Sequence, residues 1–212
     1  MPTPWQYFSV SAPRVIRPPS LFGSLAAFVL MVCSAPAAAH GFHGAEGFLS
    51  GLVHPWLGAD HFLAMVALGL WSAQRDGAAH WVMPTNFALA AAAGALLALF
   101  GVPPLWAPSV FEWAILASLV VLGLFLLLQV RLSVASSLVL TGLFGLVHGF
   151  AHGFEFSPGV GALAAVTGMT FATLLLSGAG VVLALQLRAR TLTFPRSVGL
   201  GVLVFGLIGM VS

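Results

Sequence analysis

Charge is what this 212-residue chain has least of: acidic and basic residues together make up 6%. Lysine is absent altogether, so no Gly-x4-Gly-Lys-Ser/Thr loop exists to cradle a nucleotide, and direct ATP coupling by this chain is excluded. One cysteine, Cys33, rules out an intramolecular disulfide and any CxxC metal or redox motif. The net charge of +2 carries no basic stripe that would suit a nucleic acid. What fills the space left by charge is apolar: hydrophobic residues are 60% of the chain and its mean hydropathy is +1.07. No ordinary soluble domain has that composition. The fold class expected is all-α, a polytopic membrane helix bundle.

Residues 1–39 read as a secretory signal. Arg14 and Arg17 precede an apolar stretch over 21–32, and the small-residue run Ala35, Pro36, Ala37, Ala38, Ala39 ends before His40. Cleavage after Ala39 would leave residues 40–212 as a single transmembrane domain. Within it, six apolar stretches approach or exceed the length needed to cross about 30 Å of hydrocarbon: 48–73, 83–100, 110–130, 132–154, 159–187 and 197–211. The last is the shortest. The small residues over 88–95 and 159–168 would let helices approach closely, since in lipid packing replaces hydrophobic contrast.

Arginine placement sets the orientation, because positively charged loops stay cytoplasmic. Arg75 follows the first stretch, Arg131 the third, and Arg188, Arg190 and Arg196 the fifth. Every arginine beyond the signal thus falls in an odd-numbered loop. The expectation is an inner-membrane protein whose mature N-terminus and C-terminus are both periplasmic. That arrangement gathers His40, His43, Glu46, His54, Asp60, His61, Glu112, His148, His152 and Glu155 toward the outer side, leaving Asp76 and His80 to the cytoplasmic loop. Trp56 and Trp71 suit either an interfacial belt or a packed bundle.

Two constellations could carry chemistry. The first runs from His54 through Pro55, Gly58, Asp60 and His61 to Met65; the second holds His148, His152 and Glu155. Imidazole and carboxylate suit divalent nickel, cobalt or zinc. His148 and His152, four apart, share a helical face and can chelate one ion. The first group is harder: along a regular helix His54 and His61 would stand about 10 Å apart. Either Pro55 and Gly58 mark an irregular start that folds His54 back, or these residues are successive stations on a path, and the second is preferred. Asp60 is costly, since a charge at a span's centre costs roughly 2.5–3.5 kcal/mol on insertion scales. The bland alternatives are a capping role for His54, helix–helix hydrogen bonds for His148 and His152, core packing for Met65, and a solvated arm holding His40, His43 and Glu46.

These same residues resemble the HupE/UreJ family of hydrogenase and urease accessory proteins, regarded as secondary nickel/cobalt permeases. The match runs over His54, Pro55, Gly58, Asp60, His61, Ala64 and Met65, continues through Gly69, Leu70 and Trp71, and returns in Ala151, His152, Gly153 and Glu155. The resemblance implies that His54, Asp60, His61, His148, His152 and Glu155 are the metal-pathway residues. It implies a nickel, or cobalt, permease rather than an enzyme, with the metal as cargo, no tightly bound cofactor, and hydrogenase or urease maturation proteins as partners besides the lipid bilayer. Two other classes stay open on the residues alone: a membrane metal-binding or assembly factor that does not transport, and an electron-transfer subunit whose histidines ligate haem. Haem leaves Asp60 and Glu155 without a purpose.

Overall fold

A computed structural model of the chain describes residues 47–103, 107–156, 159–188 and 193–211. The signal segment 1–39, His40, His43 and Glu46 lie outside the described residues, as does Arg190. The described residues form α-helices and one 3-10 turn, with no strand among them. In chain order these are α1 (Phe48–Leu57), α2 (Ala59–Ser72), the 3-10 turn Gly77–Trp81, α3 (Val82–Leu99), α4 (Pro108–Leu128), α5 (Val134–Gly153), α6 (Val160–Arg188) and α7 (Thr193–Gly209).

Among the described residues, four segments are long and apolar enough to cross a membrane: Ala79–Leu99, Ser109–Leu128, Val134–Gly153 and Gly161–Leu187. Ala59–Ser72 and Phe194–Gly209 are apolar but shorter. The stretch 48–73 is therefore two helices rather than one. Pro55, inside α1, has no N–H to offer the turn before it. Gly58 then leaves the helix altogether, with φ −87° and ψ 112°, before α2 begins.

The helices pack in close pairs. α3 runs against α5, α4 against α7, and α6 against both α1 and α2. Glycine makes the pairing tight: a Cβ on Gly149 would strike the Ala91 carbonyl, and one on Gly94 the Leu146 carbonyl, so α3 and α5 touch backbone to backbone. Gly168 meets Phe48 in the same way and Gly180 meets Val66, which locks α6 to α1 and α2. Small residues in the stretches 88–95 and 159–168 thus do what packing in lipid requires of them. Between the pairs lies an apolar core that includes Leu63, Leu68, Leu70, Met83, Phe87, Leu119, Leu122 and Leu176.

Polar side chains within the bundle are satisfied mainly along their own helices. Thr141, Thr173 and Ser177 each donate to the carbonyl four residues back. Asn86 donates across the α3–α5 pair to the Leu138 carbonyl and to Thr141 Oγ1. At one end of the bundle, Arg75 Nη2 donates to the carbonyls of Leu132 and Ser133 and to Ser137 Oγ. This ties the exit of α2 to the start of α5, and the indole of Trp71 donates to the Val130 carbonyl beside it. Trp71 is accordingly a core residue, while Trp56 is 49% exposed. Since α5 starts at this arginine end, its last turn, with His148 and His152, stands at the other.

Candidate metal site

The break at Gly58 builds one side of the site. A side chain there would press on His61 Nδ1 and Asp60 Oδ1, so the bare glycine lets the chain turn closely over them. Asp60 sits in the first turn of α2, where its Oδ1 accepts from the backbone N–H of His61 at 2.9 Å. A carboxylate at that place also answers the positive pole of the helix. The same Oδ1 is 2.7 Å from His61 Nδ1, which donates to it. Its side chain is still one-third exposed, so Asp60 stands near an end of the span rather than at its costly centre.

The other side comes from the C-terminal turns of α5. His148 and His152 share one face, as their spacing requires, and both are buried. Glu155, just beyond the helix, is half-exposed. His148 Nδ1 donates to the Phe144 carbonyl at 2.8 Å. Its ring rests on Phe87, centroid to centroid 5.2 Å.

The two sides meet. His54 Nε2 lies 3.0 Å from His152 Nδ1 and 3.5 Å from Glu155 Oε2, and His152 Nδ1 is 3.6 Å from the same carboxylate oxygen. One ligand atom from each of His54, His152 and Glu155 falls within 4.8 Å of the other two, a spacing that one ion can span. His61 lies behind them, its ring 4.3 Å from that of His152, 5.7 Å from that of His148 and 6.1 Å from that of His54. Three imidazole nitrogens in this group, the Nε2 atoms of His61, His148 and His152, are buried without a hydrogen-bond partner. Buried polar atoms are rarely left so, because each costs about 1–3 kcal/mol.

Of the two arrangements open for His54 and His61, the geometry takes the irregular start: the chain bends at Gly58 and folds His54 back over His152. All six residues singled out from the sequence, His54, Asp60, His61, His148, His152 and Glu155, fall in this one group. Met65 is buried in the apolar core and serves packing. Glu112 is exposed near the start of α4, at the same end, where Phe111 stacks on Phe150 of α5. His80 and Asp76 lie at the arginine end, where the carbonyl of His80 accepts from Ser72. Two contributors escaped the residue patterns: the Phe144 carbonyl, which a backbone atom cannot signal in sequence, and Phe87, which looks like any core aromatic.

The chain that gathers these imidazoles and carboxylates into one group matches a known family over most of its length: the family described as HupE / UreJ protein matches residues 28–209. The chain belongs to the HupE/UreJ family. Among curated proteins, Protein HupE of Rhizobium leguminosarum bv. viciae is 35% identical over 157 residues, covering 73% of this chain and 80% of that protein. No solved structure matches it significantly. For this HupE/UreJ member the arrangement therefore rests on its own geometry.

Proposed function

We propose that this HupE/UreJ chain is a permease that admits a divalent transition metal, nickel or cobalt, across the inner membrane for the maturation of a hydrogenase or urease. The observation that carries the reading is the trio of His54, His152 and Glu155, which brings ligand atoms from the broken first stretch and from the end of α5 within reach of a single ion. Two imidazoles and one carboxylate suit nickel and cobalt better than magnesium or calcium, which prefer oxygen alone.

In this reading the chain crosses the membrane six times after cleavage of residues 1–39, α1 and α2 together making the first crossing, with the mature termini periplasmic. The arginines support that orientation: Arg75 and Arg131 stand at the end of the bundle away from the histidines, as the positive-inside rule asks of a cytoplasmic face. Glu155 and His54, the more exposed members of the trio, would meet the incoming ion. Partial replacement of its water by fixed ligands, without over-tight binding, lets it move on.

Phe87, Met83 and Leu68 are fully buried on the way to the arginine end. Passage therefore requires that this packing open, and a non-transporting metal holder would leave it shut. A haem reading fares worse, because His54 and His152 are in direct contact at 3.0 Å, where a porphyrin would have to lie between its two ligands.

The test is uptake of radioactive nickel into proteoliposomes holding the purified protein. Transport at a rate well above empty liposomes, lost in His152→Ala, is the expected result. Tight nickel binding without uptake would put the holder in place of the permease.

A further inference from the structure

The trio accounts for one nitrogen of His152 and leaves three others unexplained. Nε2 of His61, His148 and His152 are all buried and all without a partner, on residues whose exposures are 9%, 1% and 3%. The outward halves of two of them are fixed. His61 donates Nδ1–H to the Asp60 carboxylate, and His148 donates Nδ1–H to the Phe144 carbonyl, which can only accept. A neutral imidazole with its hydrogen on Nδ1 presents a lone pair at Nε2, the atom a metal uses. Histidines that bind metals are held in this way, with the far nitrogen donating to a carboxylate or a backbone carbonyl.

We infer that this chain holds a second, inner metal station made of the Nε2 atoms of His61, His148 and His152, which takes only borderline transition ions such as nickel(II), cobalt(II) or zinc(II). The inference rests on the permease reading and divides its site in two. His152 serves the two stations in turn: with its hydrogen on Nε2, Nδ1 faces His54 and Glu155, and with the hydrogen moved to Nδ1, Nε2 is left for the inner group, so a neutral ring fills one station at a time. Two imidazoles that bind one ion at about 2.0–2.1 Å from each nitrogen hold their ring centres roughly 4.5–5 Å apart. The ring of His61 is 4.3 Å from that of His152 and 5.7 Å from that of His148, distances that bracket this range, so the rings must turn to close on an ion.

The two stations differ in kind. The outer one contains a carboxylate and is open to solvent through Glu155, so it can attract any divalent cation. The inner one offers neutral nitrogen only, which magnesium and calcium bind poorly against their own hydration. Selection would thus follow attraction. Asp60 has no ligand role in this scheme; it is a positioning residue that fixes the tautomer and orientation of His61.

The experiment uses the full chain in lipid nanodiscs, with nickel(II) as probe, X-ray absorption to identify ligands, and magnesium(II) in large excess as competitor. The variant carrying both His54→Ala and Glu155→Gln should still bind nickel through at least two imidazoles, undisturbed by magnesium. Adding His148→Gln to it should weaken binding at least about 10-fold, and adding Asp60→Asn about 10–100-fold, the range for losing such a supporting hydrogen bond. If the double variant binds no nickel while the parent does, the inner station is wrong and the permease reading survives. If the parent itself binds none, both fail. A measurement free of any substitution is the 15N spectrum of the imidazoles in metal-free protein: His61 and His148 should both carry hydrogen on Nδ1. The opposite tautomer in either overturns the assignment.

Discussion

The two ends of this bundle arrange their polar side chains differently. At the arginine end, Arg75 spends one nitrogen on three acceptors, Trp71 caps the Val130 carbonyl, and Ser72 holds the carbonyl of His80. These bonds staple loops together. At the histidine end, rings crowd face to edge and three of their nitrogens go without partners. Polar groups are used in loop-to-loop bonds at one end and gathered into one cluster of rings at the other. Three buried atoms lack a partner at the arginine end as well, the two polar atoms of the Gln74 amide, beside a cavity of about 300 Å³, and His80 Nδ1, but only one of these is on an imidazole.

The contrast can be broken first at the joint that carries the second histidine pair. Gly149→Val places a side chain against the Ala91 carbonyl, where backbone rather than a flexible side chain must yield. Such overpacking costs about 1–3 kcal/mol or more, and a thermal melt in detergent should show the loss along with loss of nickel binding. Next in size, His61→Ala should cut nickel uptake by intact cells at least 10-fold with the melt little changed. Unchanged uptake would remove His61 from the route.

The arginine end gives the reciprocal result. Arg75→Ala should lower stability by about 1.5–3 kcal/mol, the range for hydrogen bonds to a charged group, and leave nickel affinity in nanodiscs as it was. A drop in affinity would mean that the ends communicate. Ser133→Ala removes the Oγ that accepts from Ser136 N–H at the start of α5 and should cost about 1 kcal/mol. Smallest of all, Glu112→Gln should slow uptake slightly, and only at low ionic strength, where an exposed charge steers cations.

How much of this was legible in the residues follows the physics of each feature. Hydropathy marks the long helices because an apolar run long enough to cross the hydrocarbon, with hardly a charge in it, has few other readings, and α3 to α6 lie where the apolar stretches are. The pairing of His148 with His152 was equally plain, since four positions make one turn. His54 was not. A regular rise separates it from His61 by about 10 Å, and only the extended backbone at Gly58 brings it over His152. Pro55 and Gly58 signalled a break without giving its direction, which depends on α6 packing against α1 through Gly51 and Gly168. The meeting of Glu155 with His54 is a long-range fact of the same sort, fixed by which helices become neighbours.

Because residue 58 interrupts the first stretch, α2 begins inside the bundle and α5 finishes opposite it. The first turn of α2 and the last turn of α5 each send a ring into the group, those of His61 and His152 standing 4.3 Å apart, so the positive pole of one helix and the negative pole of the other both lie near it. A cation resting there feels a repelling pole and an attracting pole at once, with Asp60 tempering the first. Such a balance makes for a resting place shallow enough to leave, which suits a waypoint better than a vault.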